Sequence, residues 1–146
     1  MGTSWTSYWH RGFWATDGTV ECWLQALVAE IDAHPCPAWW ILQAREDWDL
    51  QATVGFVGSV CIDLDRHLAG DAGREADFLL LLNRMAGGGR EEAVDAAHLF
   101  DGTPLGPSSG GAPAELLQRF TTAVIGLVRG VTAWDTTTTA PGVWPR

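Results

Sequence analysis

The chain has 146 residues; its nine strong cations are all arginine, and 18 acidic residues leave a net charge of −9. That balance argues against binding a phosphate backbone, which needs clustered cations, and against an anionic membrane surface. A hydrophobic fraction of 47% excludes a disordered chain, and the length suits one domain.

We expect that domain to span residues 1–135, followed by a flexible tail over 136–146 that has no periodicity. Met1 to Trp5 shows no basic segment leading into an apolar one, so no signal peptide is visible. The densest apolar run, Phe78 to Leu82, falls far short of the ~20 residues of a spanning helix. Cys22, Cys36 and Cys61 are odd in number and lack CxxC spacing. Buried free thiols in a reducing cytoplasm are the simplest reading.

The first predicted element is a strand between Thr6 and Ala15, dense in Tyr8, Trp9, Phe13 and Trp14. Gly12 within it marks a bulge or a close backbone approach. Asp17-Gly18 reads as a turn. Val20, Trp23, Leu24, Leu27, Val28 and Ile31 then form one apolar stripe at helical period, capped by Thr16 or Asp17. The prolines of His34-Pro35-Cys36-Pro37 stop this helix.

From Ala38 the pattern reads as two-residue alternation. Trp39 to Arg45 is a predicted strand, Glu46-Asp47-Trp48-Asp49 a polar turn, and Leu50 to Phe56 a second strand. Val57-Gly58 turns into a third, from Val60 to Leu64. Helices follow over Ala76 to Met85, Glu91 to Phe100 and Leu116 to Val131, the last opened by Pro113. A Gly/Pro/Ser loop over Asp101 to Ala112 separates the last two. The order β-α-β-β-β-α-α-α implies an α+β fold: an antiparallel sheet of about four strands with helices on one face.

Catalytic signatures are weak. Gly106-Pro107-Ser108-Ser109-Gly110 matches GxSxG but sits in that loop, without the strand and helix a nucleophile elbow needs. GxGxxG, P-loop and HExxH patterns are absent. Asp63, Asp65 and His67 would share one strand face at metal-ligand spacing, but acids on the wet face of a one-sided sheet need no metal. We assign neither a metal nor a cofactor.

The nine tryptophans are the unusual feature. Trp23, Trp39 and Trp40 are assigned to the core. Trp48, flanked by acids on a predicted turn, is instead a candidate interface anchor. Trp5, Trp9 and Trp14 on one exposed side would suit a sugar or peptide. The partner-binding residues we select are Glu46, Asp47, Trp48, Asp49, Asp63 and Asp65, on or beside the polar side of the sheet. Asp32 and Glu30 extend the patch. A surface of one sign steers a cationic partner and speeds its association.

The aromatic opening Tyr8-Trp9-His10-Arg11-Gly12-Phe13-Trp14 and the Trp23-Leu24 helix, in a small acidic chain, resemble the immunity proteins that bacteria make against contact-delivered or polymorphic toxins. The resemblance covers roughly the first 65 residues and carries over no site residue. It implies a non-catalytic inhibitor that covers the active site of a basic toxin in a one-to-one complex. The alternative reading is a small-molecule or carbohydrate binder, or a hydrolase whose site is assembled from residues distant in sequence.

Overall fold

Two residues in the left-handed region, Trp9 (φ 50°) and His10 (φ 62°), turn the chain back on itself after six residues of strand. A computed structural model describes residues 3–54, 61–87 and 112–130. β1 (Thr3–Tyr8) and β2 (Arg11–Thr16) pair antiparallel from Thr3↔Thr16 to Tyr8↔Arg11. The opening segment is therefore a hairpin rather than one strand, its two-residue loop having the paired positive φ of a type I′ turn. β3 (Ile62–Asp63) lies parallel to β1, giving a three-stranded sheet in the order β2-β1-β3 among the described residues.

Five helices complete the described chain: α1 (Asp17–Ala33), α2 (Trp39–Val54), α3 (Asp65–Leu68), α4 (Ala72–Gly87) and α5 (Ala112–Arg129). The fold class is α+β, as the composition of elements implied. The element order among the described residues is β-β-α-α-β-α-α-α. Thr16 caps α1 by accepting the Thr19 amide at 3.3 Å, so the expected Asp17-Gly18 turn is instead the first turn of the helix. The His34 amide returns to the Ile31 carbonyl at 3.1 Å as the helix ends before Pro35.

The two strands expected over Trp39–Arg45 and Leu50–Phe56 are corrected: residues 39–54 form the single helix α2. The buried positions Trp40, Ile41, Ala44, Trp48 and Ala52 recur at helical spacing. The supposed turn Glu46–Asp49 has no Gly, Pro or Asn to break a helix, and its neighbours are strong helix formers. Local propensity and the i,i+4 spacing of Trp40, Ala44, Trp48 and Ala52 outweigh a short alternation at Leu50, Ala52 and Val54.

One face of the hairpin, with Ser4, Thr6, Tyr8, Phe13 and Ala15, is buried. α1 packs against the strands, α2, α4 and α5, and so forms the centre of the core. Trp23 on α1 lies 4.9 Å from Phe120 on α5, and its indole N–H donates to Thr121 Oγ1 at 2.9 Å. Phe13 meets Phe120 edge-on at 5.2 Å, which ties β2 to the same cluster. On the opposite hairpin face Trp5 lies across Gly12: a Cβ there would stand 2.6 Å from the indole ring and would also strike the Thr6 carbonyl. The close backbone approach expected at Gly12 is therefore present.

A second aromatic layer joins α2 to α4. Trp48 stacks on Phe78 with centroids 5.6 Å apart, and Trp40 meets the same ring at 6.4 Å. Trp40 Nε1 donates to Asp77 Oδ2 at 3.1 Å. Of the three cysteines, expected as buried thiols, only Cys22 is buried; Cys36 and Cys61 are exposed. No helix among the described residues is long and apolar enough to cross a membrane. The expected helix over 91–100, the GxSxG match, the Val57-Gly58 turn and the tail over 136–146 lie outside the described residues.

Candidate functional site

The short helix α3 is the hinge of the surface that the acidic residues form. Asp63 ends β3, and its Oδ1 accepts the Asp65 amide at 3.1 Å, turning the chain from strand into helix. Asp65 then accepts the Trp9 amide with both carboxylate oxygens, at 3.2 and 3.3 Å, and so holds the hairpin tip. Two residues on, His67 Nε2 lies 2.9 Å from Asp47 Oδ2 on α2. Arg66 approaches the other Asp47 oxygen at 3.6 Å.

That change from strand to helix separates the metal ligands considered above. Asp63, Asp65 and His67 do not share a face, because the strand stops at Asp63. His67 turns to α2, while Asp65 turns to the hairpin. Among the described residues no three His, Cys, Asp or Glu side chains gather where they could hold a metal ion.

His67 is the residue that sequence reasoning weighed only as a metal ligand. Its ring meets Trp48 edge-on at 5.2 Å, and its carbonyl accepts Arg74 Nη1 at 2.7 Å. A carboxylate holding an imidazole is the orienting half of an acid–base site. Among the described residues, however, no serine, threonine or cysteine hydrogen-bonds that ring. The arrangement ties α3 to α2.

The six selected residues divide into three groups. Glu46, Asp63 and Asp65 are exposed, and Asp49 is half exposed. Asp47 is largely covered, holding His67 and accepting Gln51 Nε2 at 3.3 Å. Trp48 is corrected: it is 1% exposed and belongs to the core, so it anchors no partner. Trp39 is corrected in the opposite direction, being 63% exposed rather than packed. One physical reason serves both, because α2 turns positions 40, 44 and 48 inward and position 39 outward.

Asp32 and Glu30 also part company. Arg45 donates to both Asp32 oxygens, at 2.7 and 2.9 Å, which holds the Asp32 carboxyl below its usual range and the guanidinium above its own. Glu30 is buried and pairs with Arg84 Nε at 3.1 Å, so it adds nothing to the surface.

Trp39 has a defined setting. The Arg74 guanidinium lies over its ring at 5.3 Å and over Trp40 at 5.7 Å. Since Arg74 is also held by the His67 carbonyl, the exposed indole is backed by a fixed cation. Leu42 and Leu50, on the same helix, are exposed as well, at 48% and 60%.

Compared with known protein families, curated proteins and solved structures, the chain matches none. The site is therefore read from its own geometry.

Proposed function

We propose that this protein is a non-catalytic, acidic protein-binding module of the immunity type, which neutralises a basic toxin by covering its active site. The observation that carries the reading is the 2.9 Å contact between His67 and Asp47. It joins α3 to α2, two elements separate in sequence that carry exposed carboxylates of their own, Asp65 beside Asp63 of β3 on one side and Glu46 and Asp49 on the other. Carboxylates presented together can occupy a site built for phosphate, and their joint field steers a cationic partner.

The partner in this reading is a basic protein; nucleic acid, membrane and cofactors have no part in it. The compartment is the cytoplasm, where a cognate toxin would act or be stored.

The test is capture on immobilised protein from source-cell lysate, and from neighbouring cells competent to deliver toxins, washed at moderate salt and read by mass spectrometry. We expect one basic protein near equal stoichiometry, with its activity abolished in the complex. The E46K/D49K/D63K variant should slow association at low salt by one to three decades. An unchanged on-rate, or no basic protein from either source, overturns the reading.

A further inference from the structure

The outer face of α2 carries an apolar stripe left exposed among the described residues. Trp39, Leu42 and Leu50 are exposed, at 63%, 48% and 60%, on a helix whose other face is buried. At 100° per residue these three and Glu46 fall within one third of the helix circumference. The stripe runs about 16 Å along the axis at 1.5 Å per residue. Isolated exposed leucines are ordinary, but an exposed tryptophan aligned with two leucines is an unpartnered face.

Two further features favour one kind of partner. Arg74 lies behind the Trp39 ring, fixed by the His67 carbonyl and by Trp40. An anchor held in advance loses little entropy on binding. A cation already on one side also lowers the attraction of the ring for a second cation, so its outer side suits an apolar group. Positive charge in the partner belongs instead opposite Glu46, within the stripe. Of the α2 carboxylates, Asp47 is engaged by His67 and Arg66 and Asp49 by Arg45, which leaves Glu46 as the exposed negative charge within the stripe.

A second copy of the chain is a poor occupant. Two-fold pairing along the stripe would bring the two Glu46 side chains close together, between molecules that each carry −9.

We infer that the outer face of α2 is a docking surface for a basic amphipathic helix of another protein, with apolar side chains on Trp39, Leu42 and Leu50 and a Lys or Arg opposite Glu46. This deepens the protein-binding reading and rests on it, but it moves the anchor of the interface from α3 to α2.

The probe is a fluorescein-labelled amphipathic peptide of Leu and Lys, about 18 residues and so five helical turns. It is compared by anisotropy with a Leu/Glu peptide of the same pattern. We expect the Leu/Lys peptide to bind and the Leu/Glu peptide not to. W39A and, independently, L42S/L50S should each weaken binding at least tenfold, and E46K should do the same. All these positions are exposed, and circular dichroism verifies that each variant is folded.

If binding is indifferent to the α2 variants and lost in D63N/D65N, the inference falls while the acidic-module reading stands. If neither peptide binds the wild-type protein, the inference falls, while the acidic-module reading stands or falls on the capture of a basic protein. Two other outcomes overturn the inference alone: a dimer in light scattering that L42S/L50S dissolves, or binding to neutral lipid vesicles that L42S/L50S abolishes.

Discussion

His67 Nε2 and Asp47 Oδ2 lie 2.9 Å apart and join α3 to the middle of α2. The same imidazole rests edge-on against Trp48, so one side chain couples the surface carboxylates to the aromatic layer beneath. Because the two residues form one unit, their substitution is expected to be non-additive. D47A and H67A should each lower stability by about 1.5 kcal/mol, as for a hydrogen bond to a charged group. The double variant should lose little more than either alone. Urea unfolding of the four proteins measures this; additive losses would show that the contact contributes nothing.

Tyr8 is the only tyrosine in the chain, which makes its ionisation directly visible in absorbance. Burial, together with a hydrogen bond donated to the Glu75 carboxylate, pushes its phenol up to about 12. The folded state favours the neutral phenol, so this contribution to stability is complete below the unfolded value near 10. It is lost as pH rises from about 10 to 12, because the unfolded chain ionises first. E75Q should bring the titration down but leave it above 10, since burial is the larger cause. A midpoint at 10 in the native wild-type protein would contradict this.

The Thr6 hydroxyl is fully buried with no hydrogen-bond partner among the described residues, whereas a side chain at Gly12 would meet the Trp5 ring. The two positions therefore predict opposite outcomes on adjacent strands. T6V replaces an unsatisfied oxygen with a methyl of similar shape and should leave stability unchanged or raise it by about 1 kcal/mol. G12A forces a carbon against the indole and should cost about 2–3 kcal/mol. Thermal unfolding ranks them; destabilisation by T6V would show that its hydroxyl has a partner.

Glu30 and Arg84 make a one-sided ion pair, with the carboxylate 1% and the guanidinium 43% exposed. Removing only the arginine takes its cation away from a buried carboxylate, so R84M should cost about 3 kcal/mol. Removing both charges in E30M/R84M should recover most of that loss, which the same unfolding measurement would show.

Helices α1, α4 and α5 were legible in the sequence because each carries an apolar stripe at helical period and a stop or start signal. Pro35 and Pro37 follow α1, and Pro113 opens α5. The charge, the hairpin's aromatic content, the close approach at Gly12 and the α+β class followed from composition and pattern in the same way. The α2 region was misread because the short alternation of Leu50, Ala52 and Val54 was weighed above the i,i+4 spacing of Trp40, Ala44, Trp48 and Ala52. Which face of that helix turns inward is decided by its packing on α1 and by Trp40 and Trp48 meeting Phe78 of α4.

The choice of site residues divides along the same line. Sequence alone determined which residues carry charge and which are large and apolar, and so the chemistry available to a partner. Only the tertiary structure decided which of them face it. The phase of α2 buries Trp48 and exposes Trp39, and the reach of His67 draws Asp47 out of the exposed set and into a contact with α3. A one-residue step along a helix rotates a side chain by about 100°. Exposure therefore depends on what the opposite face packs against, and that is a property of the assembled chain.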